Sequence, residues 1–183
     1  MTARRRLLCL LAAVVALSLA SIALAACGSS EDEKTGLIEG EPVELGNLEY
    51  NVLFSRFLNP NDVEDSQYLV GQPAPKSDEL YLGVFMQVQN TGDESEQLPS
   101  SVTVSDTEDQ VYRPLPSDSP YALQLGAPVG VEDQVPAIDS PPQVGPIEGS
   151  MVLFRIADQS TEDRPLTLLI PGEGGPAEVE LDI

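Results

Sequence analysis

Two patterns of apolar residues divide the chain. From Leu7 to Ala26 the side chains are apolar almost without a break, interrupted only by Ser18 and Ser21. From Glu41 onward the apolar positions alternate with polar ones, the period of a half-buried strand. Leu48, Tyr50, Val52 and Phe54 alternate with Glu49, Asn51 and Ser55, which predicts a strand with those four side chains on one face. The clearest strand spans Glu79 to Gln89. Leu80, Leu82, Val84, Met86 and Val88 fall on its core face, with Tyr81, Phe85, Gln87 and Gln89 on the other. Shorter strands are predicted at Val102 to Val104, Val111 and Tyr112, Met151 to Ile156, Pro165 to Ile170 and Ala177 to Ile183. Turn chemistry separates them. Asn90-Thr91-Gly92-Asp93 offers residues that tolerate positive φ, Asp106 to Gln110 another turn, and Pro171-Gly172-Glu173-Gly174-Gly175 a third. No window after residue 26 carries a helical period, and all 16 prolines lie there, which disfavours long helices. About seven short strands with Gly/Pro turns predict an all-β fold, an antiparallel β-sandwich over residues 41–183.

The N-terminal run has the flanks of an export signal. Arg4, Arg5 and Arg6 precede it, no acid lies among them, and small residues end it. Its length would also suit an uncleaved signal anchor with the arginines in the cytoplasm; both versions put the remainder outside. Leu24-Ala25-Ala26-Cys27 resembles the bacterial lipobox. That resemblance implies cleavage between Ala26 and Cys27 and a diacylglyceryl group on the Cys27 sulfur. Each buried methylene contributes about 0.8 kcal/mol, and two chains hold a protein on a bilayer where one would not. Residues 1–26 are thus expected to be a lipoprotein signal peptide. The expected location is the outer face of a cell membrane, with the folded domain extracytoplasmic. Cys9 lies inside the signal, so the processed chain would hold no disulfide.

Charge refines this picture. Losing Arg4, Arg5 and Arg6 from nine cations leaves six against thirty carboxylates, a net of −24. Such a field opposes nucleic acid and anionic lipid surfaces and suits a solvated domain held off the membrane. Residues 27–40 are polar, acidic and glycine-punctuated, and read as the lipidated terminus and a flexible tether with a reach of roughly 20 Å.

Two predicted connections are long: Asn59 to Asp78, with Pro60, Pro73 and Pro75 around Tyr68-Leu69-Val70, and Arg113 to Pro146, with eight prolines and an apolar group at Tyr121, Leu123 and Leu125. Loops of this length either carry function or are family-specific insertions on a crossover. They are the first place to look for a recognition surface, with Tyr68, Leu69, Tyr121, Leu123 and Leu125 as its candidate residues.

The run from Asp78 to Asp93 resembles the core of an immunoglobulin-like domain found in lipoproteins of Gram-positive, particularly actinobacterial, bacteria. Asp106 to Tyr112 matches the following Asp-rich turn and Tyr, with Asp109 where that family usually has Gly. Asp can enter the left-handed region. Gly149 to Phe154 matches a later Gly-initiated strand, although Gly145-Pro146-Ile147-Glu148 replaces the usual Pro-Gly before it. The resemblance implies an immunoglobulin-like sandwich outside the cell and no particular reaction.

Candidate chemistry is sparse. The chain has no histidine, which removes Ser-His-Asp and Cys-His catalysis and His-containing zinc or copper sites. No phosphate-binding Gly motif precedes a helix. Thirty carboxylates leave a glycosidase-type pair open on composition, but there is no Trp and the acids gather in turns, so no enzyme is expected. Two oxygen-rich clusters, Asn59, Asn61, Asp62, Glu64 and Asp65, and Asp106, Glu108 and Asp109, lack the EF-hand spacing. Acidic turns facing water explain both, so no metal and no cofactor are expected. The expected role is display of an acidic domain for a protein, peptide or envelope polymer, without nucleic acid. A structural spacer is the alternative.

Overall fold

A computed structural model of the chain describes residues 33–183. Its strands are β1 (Lys34–Ile38), β2 (Pro42–Leu45), β3 (Leu48–Leu58), β4 (Glu79–Asn90), β5 (Glu96–Gln97), β6 (Thr103–Ser105), β7 (Val111–Tyr112), β8 (Pro128–Val129), β9 (Gln134–Val135), β10 (Ser150–Ala157), β11 (Leu166–Ile170) and β12 (Ala177–Leu181). One helical turn, α1 (Pro141–Val144), is the only α-helix among the described residues. One sheet has the order β1-β12-β11-β6-β7; the other runs β10-β4-β3-β2, with β9 added beside β4. A small third sheet joins β5 to β8. This is the expected β-sandwich. Its central layer takes Val43, Tyr50, Val52, Leu82, Val84, Met86 and Phe154 from one sheet and Val104, Leu168, Ile170 and Val179 from the other. The pleat of β4 therefore sends its predicted apolar face into the core.

Three details depart from the sequence reading. Lys34–Ile38, inside the stretch read as tether, forms a strand. It pairs parallel with β12 through Lys34↔Ala177 and Leu37↔Val179, the one parallel pairing among the named strands described. Leu37 packs against the core, and Gly36 at φ 76° takes up the irregularity between these two pairs. Second, β3 does not keep Phe54 on the face of Val52. Val52 pairs with Met86 but Phe54 with Phe85, so Leu53 is an extra residue, a β-bulge that turns Phe54 to the outside. Third, Asn90-Thr91-Gly92 turns without positive φ at Asn90 or Gly92. Asn90, 1% exposed, holds the turn with its side chain: Nδ2 donates to the carbonyls of Glu94, Val129 and Gly130, and Oδ1 accepts the Gly92 N–H at 2.9 Å. Gly92 is needed for closeness, because a Cβ there would lie 2.7 Å from that of Asn47.

Candidate functional site

The outer face of β4 is covered by the two long connections. Tyr81 and Phe85, predicted to point away from the core, are 1% and 0% exposed. With Leu58, Tyr68, Leu69, Met151 and Leu153 they form a second apolar cluster, flanked by Phe54, Leu115, Tyr121 and Ile147. Phe85 is its hub. Phe54, delivered by the bulge, stacks on it at 4.7 Å with the rings 11° from parallel. Tyr68, from the 59–78 connection, meets the same ring edge-on at 5.4 Å, and Tyr121, from the 113–146 connection, packs on Tyr68 at 4.8 Å. Such pairs contribute about 0.5–1.5 kcal/mol each beyond burial. Gly83 makes the room: a Cβ there would sit 3.0 Å from Phe85 and 3.1 Å from Leu58.

Polar bonds stitch the two connections to each other. The Ser119 hydroxyl donates to the Gln67 carbonyl at 2.7 Å, and the Gln72 amide donates to the Pro116 carbonyl at 2.6 Å. The second connection also pairs with the free edge of β10. Met151 N–H donates to Tyr121, Leu123 N–H to Met151, and Leu115 N–H to Leu153. Farther along, β8 and β9 tie the same connection to β5 and β4.

The structure brings three of the candidate recognition residues together, Tyr68, Leu69 and Tyr121 in the outer cluster, while Leu123 and Leu125 pack against the main core. Tyr68 is 0% exposed and Leu69 and Leu123 are nearly so; Tyr121 and Leu125 are half-buried. Tyr68, Leu69 and Tyr121 hold the loops on the sheet, whereas Leu123 and Leu125 also line a surface cleft. Burial pushes the Tyr68 hydroxyl up to about 12, with smaller contributions from Tyr121, Asp65 and Glu64 in the same direction and from Arg56 against it. That hydroxyl has no hydrogen-bond partner among the described residues. Ala26 and Cys27 lie outside the described residues.

The outer surface holds a cleft of about 430 Å³ whose floor is Met151, Val152 and Leu153 of β10. The 113–118 segment and the 122–125 segment wall it, with Ser100 and Ser101 beside them. Leu115, Leu123 and Leu125 give it an apolar lining, and Arg113, Ser117, Asp118 and Gln124 give it polar groups. Of this lining, sequence reasoning named Leu123 and Leu125 but not Arg113 or Asp118. The available signal was their place beside prolines, in the run Arg113-Pro114-Leu115-Pro116-Ser117-Asp118, where backbone pairing is interrupted.

Both oxygen-rich clusters are occupied by their own backbone. Asp65, buried, pairs with Arg56 and accepts the Asn59 N–H at 2.8 Å; Asn59 and Asp62 accept the N–H groups of Asn61 and Glu64. In the other, Asp106 Oδ1 accepts from Glu108 and Gln110, and Oδ2 accepts from the Ser160 hydroxyl at 2.5 Å. Ser160 in turn bonds the Tyr112 hydroxyl at 2.6 Å. Burial pushes the Asp106 carboxyl up, but Ser160 and the N–H groups of Gln110 and Glu108 outweigh it and hold the group below the usual carboxylate range. Asp109 takes φ 61°, doing the work of the expected glycine. Among the described residues no three His, Cys, Asp or Glu side chains gather as a metal site, and Ser160, 2% exposed, is closed to a substrate.

No protein-family model matches the chain, and no curated protein sequence matches it. Solved structures do. An uncharacterized β-sandwich protein from Clostridium difficile 630 is 13% identical, with a TM-score of 0.50 over 82% of this chain and 93% of that one. The yjhA protein from Bacillus subtilis is 17% identical, with a TM-score of 0.51 over 80% of this chain and all of that one. The chain shares their fold. At such identity the likeness is one of architecture and carries no activity.

Proposed function

We propose that the protein is a lipid-anchored, extracytoplasmic lipoprotein, of the Gram-positive type that its sequence resembles, whose sandwich serves as a non-catalytic binding module. The observation that carries the binding role is the walled cleft that the 113–146 connection forms over β10, with Ser100 and Ser101 beside it. A concave site with an apolar lining and a few polar groups is the usual form of a ligand pocket. The anchor rests on Leu24-Ala25-Ala26-Cys27 after an apolar run with three arginines before it. The strong negative charge favours a domain that stands off an anionic surface. It equally suits a spacer with no defined ligand, which is the second reading.

Two measurements test these parts separately. Cys27→Ser is expected to shift the protein from the detergent phase to the aqueous phase or to stall it as precursor; unchanged processing and partition would end the lipoprotein reading. Crosslinking in intact cells followed by pull-down is expected to return one dominant envelope partner, dependent on the cleft residues. Recovery of none supports the spacer.

A further inference from the structure

We infer that the cleft binds a short peptide by its free C-terminal carboxylate, with Arg113 as the anion-binding residue; this deepens the binding-module reading and rests on it. Six cations occur among the described residues, and five are engaged: Arg56 with Asp65, Lys76 and Arg155 with Glu79, Lys34 with the Glu44 carbonyl, and Arg164 with the Thr161 carbonyl. Arg113 alone among them has neither a carboxylate nor another side-chain hydrogen bond, although thirty acids surround it in the sequence. It lines the cleft formed by the 113–118 and 122–125 segments. A guanidinium presents a planar fork of donors that matches a carboxylate in two parallel bonds.

The other groups define the rest of the ligand. Asp118, at the far end of the same segment, also lacks an ion pair among the described residues and lies beside Gly71, 3.1 Å from where a Cβ there would stand. It is placed to receive an ammonium group. Five residue steps separate Arg113 from Asp118, at most about 17 Å of extended chain, so a zwitterion bridging them would be a peptide of about four residues or fewer. Leu115, Leu123 and Leu125 suit small apolar side chains, and serines at 100, 101 and 117 supply polar contacts to its backbone. A polyanionic polymer fits poorly, since one arginine would have to offset a net −24.

The test titrates the full-length protein in detergent micelles with L-tetra-alanine, following amide shifts by NMR. Saturable shifts are expected at 113–118, 122–125 and 151–153. Amidating the peptide C-terminus, or Arg113→Gln, is expected to weaken binding at least about tenfold, a cost of about 1.4 kcal/mol. N-acetylation or Asp118→Asn should weaken it to a smaller degree. Arg113→Lys should recover part of the affinity, because charge returns without the fork. Absence of shifts in the cleft, or equal binding of acid and amide peptides, overturns the inference. So does binding of polyphosphate in place of the peptide. Failure here with a cleft-dependent partner in the pull-down rejects only the peptide; loss of the Cys27 anchor leaves the cleft untouched.

Discussion

Asp106 shows how an acidic turn can be structural. Its two oxygens take three hydrogen bonds, from Glu108, Gln110 and Ser160, and Ser160 passes the connection on to Tyr112. Because the folded-state pKa is depressed, the stabilisation is fully present above the unfolded value of about 3.9 and is lost as pH falls through the lower folded value. Asp106→Asn is expected to cost about 1–3 kcal/mol at neutral pH, as for charged hydrogen bonds, and to flatten the acid limb of the stability profile. Urea melts at pH 7 and below pH 4 check both. An unchanged acid limb would assign the acid sensitivity to other carboxylates. Tyr68 makes the opposite case. Its ring is gripped by Phe85 and Tyr121 while its hydroxyl is buried without a partner among the described residues. An unmade buried hydrogen bond costs about 1–3 kcal/mol, so Tyr68→Phe should leave the melting temperature unchanged or raise it. A marked fall would show that the hydroxyl does bond, through water or a neighbour.

At the scale of elements, the outer cluster makes the loops part of the fold. Phe85 receives one ring from β3, through the bulge, and one from the 59–78 connection. Phe85→Ala is therefore expected to cost about 3–5 kcal/mol and to release both connections. Limited proteolysis should then cut within residues 59–78 and 113–125 while the main sheets still protect their own backbone. A variant equally unstable but cut elsewhere would separate core loss from loop release. The inner face of β4 was legible because a strand core has a strict period of two. Its outer face was not. Tyr81, Gly83 and Phe85 look like a mixed surface row until two distant, proline-rich segments fold over it, and such pairing leaves no local period. The bulge at Leu53 escaped for the same reason: it depends on register with β4, and an alternating sequence cannot show where it slips. Lys34–Ile38 escaped because a short edge strand with glycine inside carries the composition of a linker. The Asp109 turn was legible, since a left-handed residue has few chemical solutions.

Across the whole molecule, charge and packing act against each other. Thirty acids and nine Lys or Arg make a chain whose field favours solubility and opposes compaction. Three ion pairs were found among the described residues, and Glu79 serves two of them. Arg56 and Arg155 are partly exposed, and Lys76 is largely solvated, so these pairs offset little of the repulsion. Salt should therefore screen repulsion more than attraction. The Debye length falls from about 30 Å at 0.01 M to about 8 Å at 0.15 M and about 3 Å at 1 M. Thermal stability at pH 7 is expected to rise steeply with potassium chloride up to about 0.15 M and then to level off. Arg56–Asp65 gives an internal control, because Asp65 is buried and also accepts the Asn59 N–H, a short-range bond that salt screens little. Asp65→Ala should lower stability by about 1–3 kcal/mol, through the Asn59 N–H left without its acceptor, with nearly the same salt slope as the parent. A melting temperature that falls with added salt would mean that attraction dominates, and the acidic surface would then be organised around cations that the chain itself supplies.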